Sequence, residues 1–358
     1  MYNASQYEFL PGSRFQPSDR RNEYDVTNTV KVSSTPAVRD ALRDIYCEAF
    51  PQVAFDRLWI AFHDFEQLYD GRWLDYEGCD TVYHDRQHSL DMTLAMARLL
   101  VGYERSCAEA EHLGEERIMV GIIVALFHDS GYIRRKDEPP RANGAEFTTW
   151  HVSRSADFLR EYLPRIGLGS WAGVASRIVH FTGYELNIDD IELENPQDSL
   201  IGHFLGTADL MAQMADRCYL EKCRDRLYSE FVLAGVAIGD ADNDAEQSEG
   251  LMYASGVDLL RKTPDFYQYM AMSRLDKKFN RAYRYIEVLY DGRNPYFEFI
   301  ERNLEYLHRI IERNDWGRLR RNPPCFTALD QPLKSVSALV SRKLADMNAP
   351  ASALTTTD

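Results

Sequence analysis

Apolar residues recur at intervals of three and four along most of the chain, which is the spacing of amphipathic α-helices. The pattern begins after Thr35-Pro36, where proline suits a first helical turn, and it continues to about residue 322. The segments that carry it are AVRDALRDIYCEAF, VAFDRLWIAFHDFEQLY, HSLDMTLAMARLLVGY, EERIMVGIIVALFHD, TTWHVSRSADFLREYL, SWAGVASRIVHFTG, SLIGHFLGTADLMAQMADRCYLEKCRDRLY, DFYQYMAMSRLDKKFNRAYRYIEVLY and PYFEFIERNLEYLHRIIERND. None shows the sustained alternation of a strand. The sequence therefore predicts an all-α fold.

Changes in composition divide the chain into four parts. Residues 1–35 are polar with a weak apolar pattern, which predicts a flexible or loosely docked arm. Residues 36–225 are predicted to form a first helical domain, and residues 226–322 a C-terminal helical extension. Residues 323–358 are rich in Pro, Ser and Thr, and we expect a frayed tail there.

Composition and charge exclude several classes of partner. A chain of 358 residues with 45% hydrophobic content can bury a large core. The net charge of −15 argues against binding a nucleic-acid duplex or an anionic membrane, because both need a basic surface. The six cysteines form no CxxC pair and indicate reduced thiols. The start lacks a secretory signal, and no apolar run approaches the ~20 residues of a membrane span. These features together predict a cytoplasmic protein.

Histidine and aspartate recur on successive predicted helices. FHDSGY places two polar residues directly after the apolar run IMVGIIVALF, where an uncompensated buried charge would be costly. The intervals from residue 88 onward are 40, 23, 29 and 29 residues, and each fits one helix and its connection. Imidazole and carboxylate are common ligands of divalent metals, and bundles build core sites from one ligand per helix. The candidates are His84, His88, His128, Asp129, His151, His180 and Asp209.

The order H…HD…H…H…D resembles the HD superfamily of metal-dependent phosphohydrolases over roughly residues 80–220. YHDRQHSLDM is similar to the YHNxxH stretch of cyclic-nucleotide phosphodiesterases, and HVSRSADFL and HFTG resemble the later histidine helices of bacterial dinuclear HD hydrolases. The resemblance implies that residues 36–225 form an HD-type helical bundle. It also implies two divalent ions, with Fe, Mn, Mg and Zn as candidates.

The resemblance assigns a role to each of these residues. One ion is expected at His88, His128, Asp129 and Asp209, with Asp129 bridging to a second ion held by His151 and His180. The two ions would activate a water for attack on phosphorus, so Asp129 is also counted as catalytic. His84 lies four residues before His88, and the two side chains can share a face if the helix starts early enough. The resemblance makes His84 the proton donor to the leaving oxygen.

The sequence also departs from the family pattern. Tyr132 stands where many relatives have Lys or His, no second histidine follows His180, and the GYP triplet is absent, so cyclic-di-GMP specificity is not implied. Cations for a small anionic phosphoester are offered by the stretch IRRKDEPPR, which can equally be a solvated loop. The substrate-binding candidates are Arg86, Tyr132, Arg134 and Arg135.

Simpler interpretations exist for several of these residues. His63-Asp64 has no partner histidines at suitable intervals and serves as a control for the dipeptide. Asp216 competes with Asp209, which we prefer because it matches the family position. A single-metal protein would need neither His151 nor His180. The remaining histidines are expected to be structural, and they are His112, His203 and His308. The aromatic helices beyond residue 265 fit a core, a pocket wall or a homodimer contact.

Three functions are compatible with this ligand set. The first is hydrolysis of a phosphoester, in a nucleotide or cyclic nucleotide. The second is a mixed-valent di-iron oxygenase of the HD superfamily, because ligand type alone does not decide metal identity. The third is an HD domain that binds a nucleotide without turnover. His84 favours hydrolysis, since a leaving alkoxide needs a proton donor.

Overall fold

The structure is a computed structural model that describes residues 20–73, 75–237 and 253–347. Every secondary-structure element assigned in these ranges is a helix, and β pairing is limited there to two isolated bridges. The predicted all-α class is therefore confirmed. The α-helices are α1 (Thr35–Ala49), α2 (Asp56–Tyr69), α3 (Arg86–Ser106), α4 (Glu115–Phe127), α5 (His151–Arg165), α6 (Ala172–Ile178), α7 (Pro196–Ala215), α8 (Tyr219–Lys222), α9 (Tyr228–Ala234), α10 (Gly256–Asp265), α11 (Pro295–Arg313) and α12 (Pro332–Met347).

Helix α3 lies at the centre of the molecule. Every residue from 87 to 104 is buried, because α1, α4, α7 and the 3-10 helix Ala282–Leu289 pack around it. Helix α4 is almost as apolar, and all its residues from 118 to 127 are buried. One cluster of buried side chains extends from Val26 to Leu319, so the segments after residue 225 share the core of those before it. The HD-type assignment of residues 36–225 remains a prediction.

Residues 20–34 differ from the predicted flexible arm. Arg20 is buried and donates a hydrogen bond to the carbonyl oxygen of Ala215 at 2.7 Å. Asp25 is fully buried and pairs with Arg98 on α3 at 2.6 Å. Hydropathy does not reveal this docking, because it depends on charged groups that find partners far along the chain. The part of the predicted arm formed by residues 1–19 lies outside the described residues.

Other segments differ from their predictions as well. Within the predicted frayed tail, α12 packs against α9 and buries Val336 beside Val82. The segment predicted as one helix over 265–290 bends at Asn280 and Arg281, whose φ values of 49° and 54° are left-handed and interrupt a helix. Residues 348–358 lie outside the described ranges. Among the helices of the described ranges, none combines the length and apolarity that a membrane span requires.

Candidate metal centre and cavity

Asp85 determines where α3 begins. Its side chain accepts hydrogen bonds from the backbone amides of Gln87 and His88, which makes it the N-cap of the helix. His88 is therefore in the first turn, whereas His84 precedes the helix. The two imidazoles therefore do not share a helical face, although their ring centroids are 5.6 Å apart.

The turn after α4 brings a second pair of ligands to the same place. Helix α4 ends at Phe127, and a short 3-10 turn follows Asp129. Gly131 in this turn approaches α5 so closely that an added Cβ would lie 1.8 Å from the carbonyl oxygen of His151. Only glycine fits this contact. The close approach places the first residue of α5 beside the carboxylate of Asp129.

His88, His128 and Asp129 offer ligand atoms that all lie within 4.8 Å of one another, and Asp209 on a third helical segment approaches both imidazoles. The Nε2 atom of His88 lies 3.3 Å from Oδ2 of Asp129 and 3.4 Å from Oδ1 of Asp209. The Nε2 atom of His128 lies 3.1 Å and 3.9 Å from the same two oxygens. His128 Nε2 and Asp129 Oδ2 are buried and have no hydrogen-bond partner. Buried polar atoms are nearly always satisfied, so this donor set fits a cation.

Hydrogen bonds at the far side of two rings leave their Nε2 atoms available. Nδ1 of His128 lies 2.8 Å from the carbonyl oxygen of Ala125, and Nδ1 of His151 lies 2.8 Å from that of Thr148. A carbonyl only accepts, so Nδ1 carries the proton and Nε2 presents its lone pair. This is the tautomer and orientation that a metal-binding histidine needs.

The charges at the centre favour a positive occupant. Burial alone would lower the pKa of His88, but the carboxylates of Asp129 and Asp209 outweigh it and raise this pKa to about 10. Burial would conversely raise the pKa of Asp129, yet the adjacent imidazoles of His128 and His88 hold it well below its usual range. A proton on His88 thus occupies the electrostatic position that a metal ion would take.

The second predicted metal position is only partly assembled. Oδ1 of Asp129 faces Nε2 of His151 at 3.7 Å, so Asp129 presents one oxygen to each side. His180 is half-buried, and burial lowers the pKa of its imidazole, with smaller opposing effects of Glu185, which raises this pKa, and Arg160, which lowers it. No ion pair or ring contact in the described part of the chain joins His180 to Asp129 or His151. The structure brings together five of the six predicted ligands; Nδ1 of His180 is buried without a hydrogen-bond partner, and the role of His180 as a ligand stays a prediction.

His84 has a buried acidic partner that the sequence analysis missed. Nδ1 of His84 lies 2.6 Å from Oε2 of Glu230 on α9, and Oε1 of Glu230 accepts the backbone amide of Tyr83 at 2.6 Å. Burial lowers the pKa of His84, but Glu230 outweighs it and the net shift is upward. Glu230 lies 146 residues beyond His84. The available signal was a single acid, Glu230, directly before the apolar stretch FVLAGVA.

Tyr132 lies between two of the histidines. Its ring stacks on that of His84 at a centroid distance of 4.5 Å and on that of His151 at 4.2 Å. The pKa of His84 is raised, whereas burial lowers the pKa of His151. The pKa values of the two imidazoles on either side of the phenol therefore shift in opposite directions, upward for His84 beside Glu230 and downward for His151.

These residues line a cavity of about 450 Å³. Its wall contains His84, His88, Asp129, Tyr132, His151 and Asp209 together with residues of the C-terminal segments. The other lining residues are Tyr83, Thr148, Thr149, Thr182, Gly183, Tyr184, Glu185, Leu210, Gln213, Tyr219, Cys223, Leu227, Phe231, Val236, Tyr253, Leu259, Lys262, Thr263 and Phe266. Most of the wall beyond the histidines is apolar or aromatic.

The three arginines predicted to bind substrate lie outside this cavity lining. Arg86 donates to Asp70 at 2.9 Å, and Arg134 donates to Asp80 at 2.9 Å. Arg135 is bonded to acidic side chains of its own loop and of α5. These arginines are paired with acidic side chains of the protein itself. Residue type and sequence position could not indicate these pairs. Of the predicted substrate-binding residues, Tyr132 alone lines the cavity.

The residues taken as controls lie away from the centre. His63 and His308 are exposed, and His203 packs against Phe181 without lining the cavity. Asp216, the competitor of Asp209, accepts from the Nζ of Lys222 at 2.6 Å instead. His112 is near Glu104 at 3.6 Å, outside the cavity lining.

Comparison with known proteins adds no relative. No protein-family model matches the chain, and neither the curated proteins nor the solved structures contain a match. The resemblance to the HD superfamily therefore depends on the residues and geometry described above and remains a prediction.

Proposed function

We propose that the protein is a metal-dependent phosphoester hydrolase in which His84 is the general acid. The observation that carries the proposal is the contact of 2.6 Å between His84 and the fully buried Glu230. This pair lies in the same cavity wall as the convergent ligands. A protonated imidazole beside a cation site suits a reaction in which an oxygen leaves with developing negative charge.

One divalent ion would be held by His88, His128, Asp129 and Asp209. When bound there, it would supply Lewis-acid polarisation of a phosphoryl oxygen and a more acidic water. The second ion stays a prediction, for which Asp129 Oδ1 and His151 Nε2 are the available ligand atoms. The unpartnered atoms His128 Nε2 and Asp129 Oδ2 support the first position in particular.

Three residues of the chain would carry out the proton transfer to the leaving oxygen. Glu230 binds Nδ1 of His84 and keeps the imidazole protonated, so Nε2 is the atom that can deliver a proton into the cavity. Tyr132 stacks on the imidazole and limits its rotation. The proton passes from Nε2 of His84 to the leaving oxygen, and Glu230 holds the ring in place while it is neutral.

The test uses purified full-length protein, stripped of metal and then loaded separately with Mn²⁺, Zn²⁺, Mg²⁺ or Fe²⁺. Phosphomonoesters, phosphodiesters, nucleotides and cyclic nucleotides are assayed with and without oxygen. We expect metal-dependent hydrolysis that is equal in both atmospheres. His128→Asn should abolish it, and His63→Asn, which changes the other His-Asp dipeptide, should not. Turnover that requires oxygen, or no hydrolysis of any substrate class by loaded protein, would contradict the proposal.

A further inference from the structure

One part of the cavity wall has a composition that constrains the substrate. Six of its residues, which we call the aromatic wall, are Tyr219, Leu227, Phe231, Tyr253, Leu259 and Phe266. They come from α8 to α10, from the π-helical turns after α8 and α10, and from the loop before α10, and all but Tyr219 lie in the segment that the sequence analysis treated as a C-terminal extension. None of them has a part in the proton transfer described above.

The aromatic wall is packed and not loosely arranged. The rings of Phe231 and Tyr253 stack at 5.7 Å with an interplanar angle of 18°. Tyr219 and Leu259 are each only 5% exposed. A wall that is ordered in this way offers an apolar ligand a preformed surface, so binding costs little reorganisation.

The charges along the cavity argue against a polyanionic substrate. Among the described lining residues, Lys262 is the one Lys or Arg, and its Nζ already lies 3.0 Å from Asp258. Asp129, Asp209 and Glu185 contribute carboxylates to the same cavity. Each further phosphate buried here would lack a countercharge, and an unpaired buried charge is strongly unfavourable.

We propose, on the basis of the hydrolase function above, that the substrate is a singly charged phosphodiester that carries a large apolar group. The charged phosphorus centre lies at the histidines, and the apolar group lies against the aromatic wall. Tyr184 continues the apolar surface outward, since it lines the cavity and is 59% exposed. The cavity of about 450 Å³ has room for such a group, since pockets for small organic ligands measure roughly 300–1,000 Å³.

The experiment keeps the leaving group constant and varies the other ester. Metal-loaded full-length protein is assayed with p-nitrophenyl phosphodiesters whose second group is methyl, octyl, phenyl, naphthyl or thymidine. A further p-nitrophenyl phosphodiester has a short alkyl group that carries one additional phosphate. We expect kcat/KM to rise roughly 10- to 100-fold from methyl to naphthyl because apolar area is buried. The octyl and phenyl esters distinguish alkyl from aryl groups. The additional phosphate should lower kcat/KM at least tenfold.

Two neighbouring residues provide a matched pair of variants. Phe266 lines the cavity, whereas Tyr267 is partly buried in the core beside it and does not line the cavity. Phe266→Ala should reduce the naphthyl-to-methyl ratio of kcat/KM about tenfold, and Tyr267→Ala should keep the wild-type ratio. Because each ratio is measured within one preparation, a partly unfolded variant does not distort it.

Binding separates failure of this inference from failure of the hydrolase proposal. If no ester is hydrolysed, binding is measured instead. The affinities of a naphthylphosphonate monoester and a methylphosphonate monoester are compared by competitive displacement of a bound ligand or by intrinsic protein fluorescence. Naphthyl binding at least tenfold tighter, and lost in Phe266→Ala, supports the apolar site without the chemistry. Equal affinities, a flat series of kcat/KM values, or tighter binding of the ester with the additional phosphate would each overturn the inference.

Discussion

Replacing Glu230 by glutamine removes the charge of this residue and preserves its size. The glutamine oxygen can still accept the Tyr83 amide, which bonds Glu230 at 2.6 Å. Its NH₂ group then faces Nδ1 of His84, where the carboxylate stood at 2.6 Å. A donor in that position opposes protonation of Nδ1, so the variant favours the neutral imidazole. The pKa of His84, which Glu230 raises in the wild type, should fall.

The magnitude follows from the burial of the pair. The side chains of His84 and Glu230 are 16% and 1% exposed, so solvent screens their interaction weakly. A hydrogen bond to a charged group contributes about 1.5–3 kcal/mol. If that contribution is present only when His84 is protonated, its loss lowers the protonated fraction, and with it kcat, by roughly 10- to 150-fold at pH values above the pKa of His84. Complete removal in His84→Asn should cost ~10²–10⁴-fold.

The assay compares two leaving groups as a function of pH. For metal-loaded protein, kcat is measured with phosphodiesters that release either p-nitrophenol or phenol. The loss in Glu230→Gln should be larger for phenol, because a poorer leaving group depends more on protonation. A raised pKa keeps His84 protonated up to higher pH, so the wild-type rate falls on the alkaline side of the profile. In the variant this fall should begin at lower pH.

Glu104→Gln is the matched control. Glu104 is 8% exposed, accepts the backbone amide of Leu113 at 2.9 Å, and lies near His112, but it does not line the cavity. It should retain the wild-type profile. The reasoning is refuted if Glu230→Gln slows both leaving groups equally with an unchanged alkaline limb. It is also refuted if the variant loses activity only in proportion to lost metal.

Three further predictions concern the metal centre and its support. Asp209→Asn should lose metal to a competing chelator, whereas Asp216→Asn should keep it and lose about 3–5 kcal/mol of stability by breaking the buried pair with Lys222; metal content per folded protein and thermal unfolding decide this. Gly131→Ala should destabilise the protein by about 1–3 kcal/mol in urea unfolding, because the new Cβ meets a carbonyl oxygen at 1.8 Å. Asp91 is a buried residue of α3, and Asp91→Asn should increase the stability of the metal-free protein over wild type by more at pH 8 than at pH 5. Burial, aided by two acidic neighbours and opposed by nearby arginines, raises the pKa of Asp91 to about 7 from 3.8. The stability from protonated Asp91 is therefore lost progressively as pH rises from 3.8 to about 7, by ~4 kcal/mol in total and by ~3 kcal/mol between pH 5 and pH 8. An Asn variant equally stable relative to wild type at both pH values would contradict this.

Local patterns predicted the helices well where one face of a helix meets the core. Segments such as IMVGIIVALF and PYFEFIERNLEYLHRIIER have their apolar residues where burial requires them, and α4 and α11 follow. The predictions were less accurate where the backbone bends within an apolar stretch, as at Asn280, or where charged groups become buried, as at Asp25. Periodicity records which positions are apolar and contains no information about ion-pair partners elsewhere.

The candidate site was predictable to the extent that its ligands are of diagnostic type and come from successive helices. His88, His128, Asp129, His151 and Asp209 converge as the spacing suggested. His180 has the same residue type and a similar interval, yet it lies in the 3-10 turn Val179–Phe181 after α6 and forms no ion pair with the other ligands in the described part of the chain. Interval lengths constrain which helices can meet but do not specify the direction of a side chain.

By itself, the amino-acid sequence determined the helical class, the approximate helices and the set of imidazoles and carboxylates available for a cation. These properties depend on residue type and on neighbours within a turn or two. Tertiary structure alone decided that Glu230 contacts His84, that the arginines after the His-Asp pair bind acids outside the cavity, and that the aromatic wall lines the same cavity as the histidines. Those outcomes depend on contacts between residues up to 146 positions apart, whose geometry exists only once the helices have packed.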